Sequence, residues 1–372
     1  MIKIASPSDR IESLPVEILV QVFIHVRDGS SDNPDVLDRL RLVCRWWNRA
    51  VLDSSILWST IKLKFGSRSI DFWLPYTLKC LRLAGPTCPL DLELGAKGDS
   101  KWWPEYPKQR GGYEAYCKIA VALTGEKGEI AARWRSVYFA SYSGFNYVSD
   151  RLFAFSVPRL ETFSAHNLST RHGAAFLPHA PLLRHLHLHM CAIPTLRDFL
   201  APHIRTLRTL GLQQYILDSP RILDLLPCAT NVSTLRIGGV DTYSIPPGTV
   251  LPALRNLTIF DVIPESLEHL SAPNLETFCL LDFFGISIVR DYLRLSMCAG
   301  IPFAIIRTFR LACPHGSRLD ITEAFPHLPS FLKSLSGVEL LEVCCGDACK
   351  TCKAIALLAD EIFEGRVTIL VS

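Results

Sequence analysis

The feature that most constrains this chain is a spaced apolar triplet that keeps returning. An apolar residue, two free positions, a second apolar residue, one free position and a third apolar residue recur along most of its length. The series reads Trp58-Ile61-Leu63, Leu78-Leu81-Leu83, Trp134-Val137-Phe139, Leu160-Phe163-Ala165, Leu183-Leu186-Leu188 and Leu207-Leu210-Leu212. It continues with Val232-Leu235-Ile237, Leu254-Leu257-Ile259, Leu275-Phe278-Leu280, Ile306-Phe309-Leu311 and Val338-Leu341-Val343. Between Leu160 and Leu275 successive triplets start 21–25 residues apart. That period holds one short strand and one return segment. Residues two apart on a strand share a face. Each unit therefore buries its apolar pair against its neighbours, and no unit is stable alone.

The period resembles that of leucine-rich repeats, in a degenerate form: the Asn or Cys that family carries after the strand is mostly absent. The resemblance implies an α/β fold, a curved solenoid whose parallel sheet lines the concave side. Of the return segments, "SPRILDLLP" at 219–227 pairs a Ser cap with Pro at the first helical position. "SIVRDYLRLSM" at 287–297 and "ITEAFPHLPSFLKSLSG" at 321–337 read as longer helices. The C-terminal "AIALLADEIFEGRVTILVS" reads as a helix and a strand that cap one end. The pattern lapses between Leu94 and Arg133, where a loop insertion rich in Gly, Pro, Lys and aromatics occupies 95–112 and a helix follows at 113–123. Trp102, Trp103 and Tyr106 in that loop either anchor a partner or fold back on the convex side.

The first sixty residues follow a different rule. In "LPVEILVQVFIHV", 14–26, the polar residues Glu17, Gln21 and His25 form one narrow stripe, and apolar residues fill every other direction. A surface helix needs only one apolar stripe. Pro15 suits the first turn, and the helix runs to about Arg27. "DGSSDNP" at 28–34 is a loop. A second helix is expected over about 35–52, with Leu37, Leu40, Val43, Cys44, Trp47 and Val51 at helical spacing and Leu42 and Trp46 off that stripe. So small a unit cannot bury all this surface within itself, and the excess meets either the rest of the chain or a partner.

"LPVEIL" at 14–19, "LRLVCRWWNRAV" at 40–51 and "ILW" at 56–58 resemble, in order, the three parts of the F-box, the helical module of substrate receptors in cullin–RING ubiquitin ligases. The resemblance covers roughly 10–60, and its one departure is a longer loop between the first two helices. It implies an adaptor-docking surface at Leu14, Pro15, Ile18 and Leu19, joined by Leu42, Val43 and Trp46. The competing account is a helical cap on the solenoid with every apolar residue buried internally.

Other function classes find little support. A net charge of +3 without clustered Lys and Arg gives no case for a nucleic-acid surface. The opening "MIKIASPSDR" lacks a signal-peptide core, and no apolar run is long enough to span a bilayer. The N-x-S/T triplets at Asn167, Asn231 and Asn256 then read as chance matches, and most of the 13 cysteines as small buried hydrophobes. Motifs of hydrolases, phosphate-binding loops, dinucleotide sites and zinc proteases are absent, so no enzyme and no cofactor is expected. "RHLHLHMC" sets His185, His187 and His189 on one side of a strand: a zinc site, or a row facing solvent or a partner whose affinity follows pH. "CCGDACKTC" at 344–352 contains one C-x-x-C, which reads as zinc, a redox pair or incidental cysteines. No metal is assigned.

The resulting expectation is an all-helical F-box at 10–60 followed by a leucine-rich-repeat-like solenoid at 61–372. The chain would serve as the substrate-recognition subunit of a cullin–RING ligase, in the cytoplasm or nucleus. It would bridge the adaptor, and through it a cullin, to a protein target. The alternative is a repeat-based interaction scaffold outside any ligase. By repeat register the outward positions that select a target are His166, His185, His187, His189 and Gln213, followed by Arg236, Phe260, Leu281, Arg310 and Glu342.

Overall fold

A computed structural model describes residues 14–30, 34–65, 69–96, 110–140, 146–171, 175–213, 222–238, 245–260, 269–281, 305–312, 328–344 and 350–371. They fall into two units, Met1–Glu161 with Leu177–Pro181, and Thr162–Phe176 with Leu182–Ser372.

Helix α1 (Val16–Gly29) starts behind Pro15, whose carbonyl accepts from the Leu19 N–H at 3.2 Å. The single helix expected over 35–52 is broken in two. Helix α2 (Val36–Arg41) ends, Leu42 and Val43 turn, and Cys44 adopts an extended backbone. The Cys44 thiol accepts from the Trp47 N–H at 3.4 Å and so caps α3 (Arg45–Asp53). A one-turn helix α4 (Ser55–Trp58) leads into β1 (Thr60–Phe65), which buries every second residue.

The triplet Leu78-Leu81-Leu83 does not form a strand. It lies in helix α5 (Ile70–Ala84), whose buried residues Trp73, Thr77, Cys80, Leu81 and Ala84 recur at three- and four-residue spacing. Gly85, at a φ of 73°, ends it in the left-handed conformation glycine tolerates best. The second strand is instead β2 (Leu90–Ala96), where Leu90, Leu92 and Leu94 alternate inward. Helix α6 (Arg110–Thr124), a 3-10 turn, β3 (Trp134–Ala140) and α7 (Asn146–Leu152) follow. Strands β1, β2 and β3 pair in parallel in that order.

The second unit contains β4 (Thr162–His166), β5 (His185–His189), α8 (Leu196–His203), β6 (Thr209–Gln213), a 3-10 segment (Ile222–Cys228) and β7 (Thr234–Gly238). It continues with β8 (Thr249–Val250), β9 (Asn256–Phe260), β10 (Leu270–Ser271), β11 (Thr277–Leu281) and β12 (Thr308–Ala312). Helix α9 (Leu328–Ser334), β13 (Leu340–Cys344), α10 (Lys350–Phe363) and β14 (Thr368–Val371) complete it. The sheet runs β4-β5-β6-β7-β9-β11-β12-β13-β14, each described pair parallel and in unbroken register. The short β8 and β10 pair separately. From Leu160 onward the second and third members of each triplet lie on a strand, the first lies just before it, and all three are buried. The loop at 97–109 with Trp102, Trp103 and Tyr106, the helix expected at 287–297, the segment 321–327, and 345–349 of the cysteine string lie outside the described residues. Among the described residues no helix is long and apolar enough to cross a membrane.

Candidate functional site

Two neighbouring residues set the logic of α1. Leu19 is 2% exposed and Ile18 52% exposed. Leu19 and Phe23 face inward, where Phe23 meets the Trp47 ring edge-on at 4.9 Å. Val36, Leu37, Ala50, Val51, Leu57 and Trp58 close the same small core. The Trp58 indole N–H donates to the Val51 carbonyl at 2.8 Å, so its one polar atom is satisfied.

On another face, Leu14, Ile18, Val22 and Val26 recur every fourth residue and all remain exposed. Leu42, 85% exposed, and Val43 project from the turn between α2 and α3, and Ile56 is exposed on α4. Pro15 is exposed and Trp46 half-buried. One expected docking residue is therefore corrected: Leu19 is a core residue, because one helical step carries it from the open face to the packed one. Val22, Val26 and Ile56 extend the surface beyond the residues named from sequence. The signal for Val22 and Val26 lies in the four-residue spacing that continues from Leu14 and Ile18.

The packed side of these helices is fixed to the strands and helix that follow within the same unit. The Arg27 guanidinium donates to the Ile56 and Leu57 carbonyls at 3.2 and 3.0 Å. Asp38 receives Lys79 of α5 at 2.5 Å and Arg41 at 3.0 Å, and the Lys79 ammonium stands 5.1 Å from the centre of the Trp58 ring. Burial pushes the Cys80 thiol up to about 12, so it stays protonated and unreactive. The face of β1–β3 away from the core has its charges matched: Arg135 donates to both Asp91 carboxylate oxygens through Nε and one Nη, and Lys62 stands 3.6 Å from Glu93 and 4.0 Å from Asp28.

The open face of the second unit differs. By register, one row across the strands reads Thr162, His185, Thr209, Thr234, Asn256, Thr277 and Thr308. The next reads Ser164, His187, Gly211, Arg236, Thr258, Cys279, Arg310 and Glu342. The third begins His166, His189, Gln213, Gly238, Phe260 and Leu281. His166 and His189 stack at 4.4 Å, and His185 Nδ1 lies 2.9 Å from the Thr209 hydroxyl. His187 lies against Gly211, where an added Cβ would come within 2.5 Å of its Nδ1. Burial, followed by the charges of Arg236 and His185, holds the His187 imidazole below its ordinary value; burial alone lowers His166. Arg310 and Glu342 form a two-pronged pair at 2.5 and 3.3 Å.

Arg236 and Arg310 are exposed, and His166, His185, His187, His189, Gln213, Leu281 and Glu342 are half-buried. Phe260 is the exception and a correction: it is 8% exposed. Its register partner Gly238 has no side chain, so the Phe260 Cβ and ring base occupy that space, 2.5 and 3.2 Å from where a Cβ would sit. The row of threonines was not singled out from sequence, although Thr stands directly before the second apolar residue at 162, 209, 234, 277 and 308. Among the described residues no group of three or more His, Cys, Asp or Glu is arranged to hold a metal ion.

Residues 11–64 match the family described as F-box-like. The chain thus carries an N-terminal helical F-box-like domain, followed by an α/β region with a large parallel sheet. No curated protein matches the chain. F-box domains in general bind the adaptor of cullin complexes.

Proposed function

We propose that the protein is the substrate-recognition subunit of a cullin–RING ubiquitin ligase, built from an F-box and a leucine-rich-repeat-like solenoid. The observation that carries this reading is the exposed aliphatic stripe Leu14, Ile18, Val22 and Val26, with Leu42 and Val43 beside it, on a module already packed on its other side. A contiguous apolar surface of this kind costs solubility unless a partner covers it. The match at 11–64 supports the adaptor as that partner. The receptor itself performs no chemistry. It binds the adaptor with one unit and a target with the open face of the other, which raises the effective concentration of target lysines near the conjugating enzyme.

Affinity capture from cells tests this. Tagged wild-type chain should recover the adaptor and a cullin, and a Leu14→Asp/Ile18→Asp variant should recover neither while remaining folded. Equal recovery by both, or recovery by neither, refutes the ligase reading.

A further inference from the structure

The open face of the second unit is uneven in charge. Strands β4, β5, β6, β7, β9 and β11 present eighteen register positions on it, and none of them is Asp or Glu. The same positions hold four histidines and Arg236. Further along, Arg310 is answered by Glu342, whereas exposed Arg236 has no carboxylate partner among the described residues. Arg236 shares a row with His187 and Gly211. Gly211 and Gly238 carry no side chains; the His187 ring lies against the first and the base of Phe260 against the second, and around them stand His189, Gln213 and Arg236. The neighbouring row carries the hydroxyls of Thr209 and Thr234. This patch offers many donors and one permanent positive charge, and no acceptor in it carries a negative charge.

We infer that this patch docks an extended, acidic segment of the target protein, with Asp or Glu side chains received by Arg236 and the neighbouring imidazoles. The inference deepens the receptor reading and rests on it for calling the ligand a target. Charge complementarity selects the occupant: a basic segment would meet Arg236 unscreened, and like-charge juxtaposition disfavours wrong partners strongly. A single guanidinium suits a carboxylate, whereas phosphate recognition is the work of arginine clusters. The lowered His187 agrees with the geometry: burial is its first cause and the charge of Arg236 its second.

The test is selection of random 12-residue displayed peptides on the purified full-length chain, with adaptor capture measured in parallel. The expected result is enrichment of Asp and Glu over the starting library. The selected peptides should bind Arg236→Gln about fivefold or more weakly, and Arg236→Lys should keep the acidic preference. Adaptor capture should be unchanged in both variants, since Arg236 lies in the other unit. The inference is overturned if no peptide is enriched, if enrichment is basic or apolar, if it appears only after the library is phosphorylated, or if Arg236→Gln binds as well as wild type. Loss of adaptor capture in the wild type, with the acidic preference intact, would instead defeat the ligase reading and leave a docking surface for acidic partners.

Discussion

Leu19→Ala and Ile18→Ala remove the same number of carbons from adjacent residues of α1, and their consequences should differ several-fold. At Leu19, three buried carbons at about 0.8 kcal/mol each give about 2.4 kcal/mol. The cavity left in so small a core brings the loss to about 3 kcal/mol. At Ile18, about half of the transfer energy is already absent because half the residue is in water. The remaining ~1.2 kcal/mol is partly offset by the better helix propensity of Ala, leaving about 0.7 kcal/mol. All seven tryptophans, at 46, 47, 58, 73, 102, 103 and 134, belong to the first unit. Tryptophan emission during urea unfolding therefore reports this unit. For an ordinary dependence on urea, Leu19→Ala should lower the midpoint by about 1–1.5 M and Ile18→Ala by about a quarter of that. Equal shifts, or a larger one for Ile18→Ala, would show that the two faces of α1 are assigned the wrong way round.

Glu364 stands just beyond α10, exposed, at a φ of 52° that favours Gly or Asn; Glu364→Asn should raise stability by about 0.5–1 kcal/mol in thermal melts followed by circular dichroism. Gly211→Ala should push the His187 ring off the sheet and into water, which raises its pKa toward the ordinary value in an NMR titration. The same substitution should alter the pH response. A folded pKa held below the unfolded one makes the unfolded chain bind more protons, so wild-type stability declines as pH falls below about 6.5 and levels off under the folded pKa. Circular dichroism melts at pH 7.5 and 5.5 should show a smaller acid loss in Gly211→Ala than in wild type.

Much of this architecture is legible in the sequence because the strands bury residues two apart and, from Leu160 to Leu275, return every 21–25 residues. The failure at Leu78-Leu81-Leu83 is instructive: the first two members also sit three apart on a helix, and only Trp73, Thr77 and Gly85 around them decide the period. The strand that was missed, "LDLELGA", lacks an apolar residue three before its second leucine and so does not match the triplet. Local pattern also could not announce that Cys44 would cap a new helix and drive Leu42 into water, since that depends on a thiol accepting one backbone N–H. Leu19 and Phe260 were misplaced for related reasons. Each faces where its periodicity directs it only if neighbours leave that direction open, and for Phe260 the glycine on the next strand takes it down onto the sheet.

If the outer apolar face of the F-box-like helices is a binding surface, purified adaptor titrated into the full-length chain in a calorimeter should meet it there. Burying the remaining exposed parts of Ile18 and Val22 contributes about 1 kcal/mol each, and introducing a carboxylate at either site adds a desolvation cost of similar or larger size. The expected result is saturable one-to-one binding to wild type and at least a 100-fold weaker interaction with Ile18→Asp/Val22→Asp, which has a lower urea midpoint but still unfolds cooperatively and is folded without urea. No heat of binding with the wild type, or the same affinity for the variant, would contradict it.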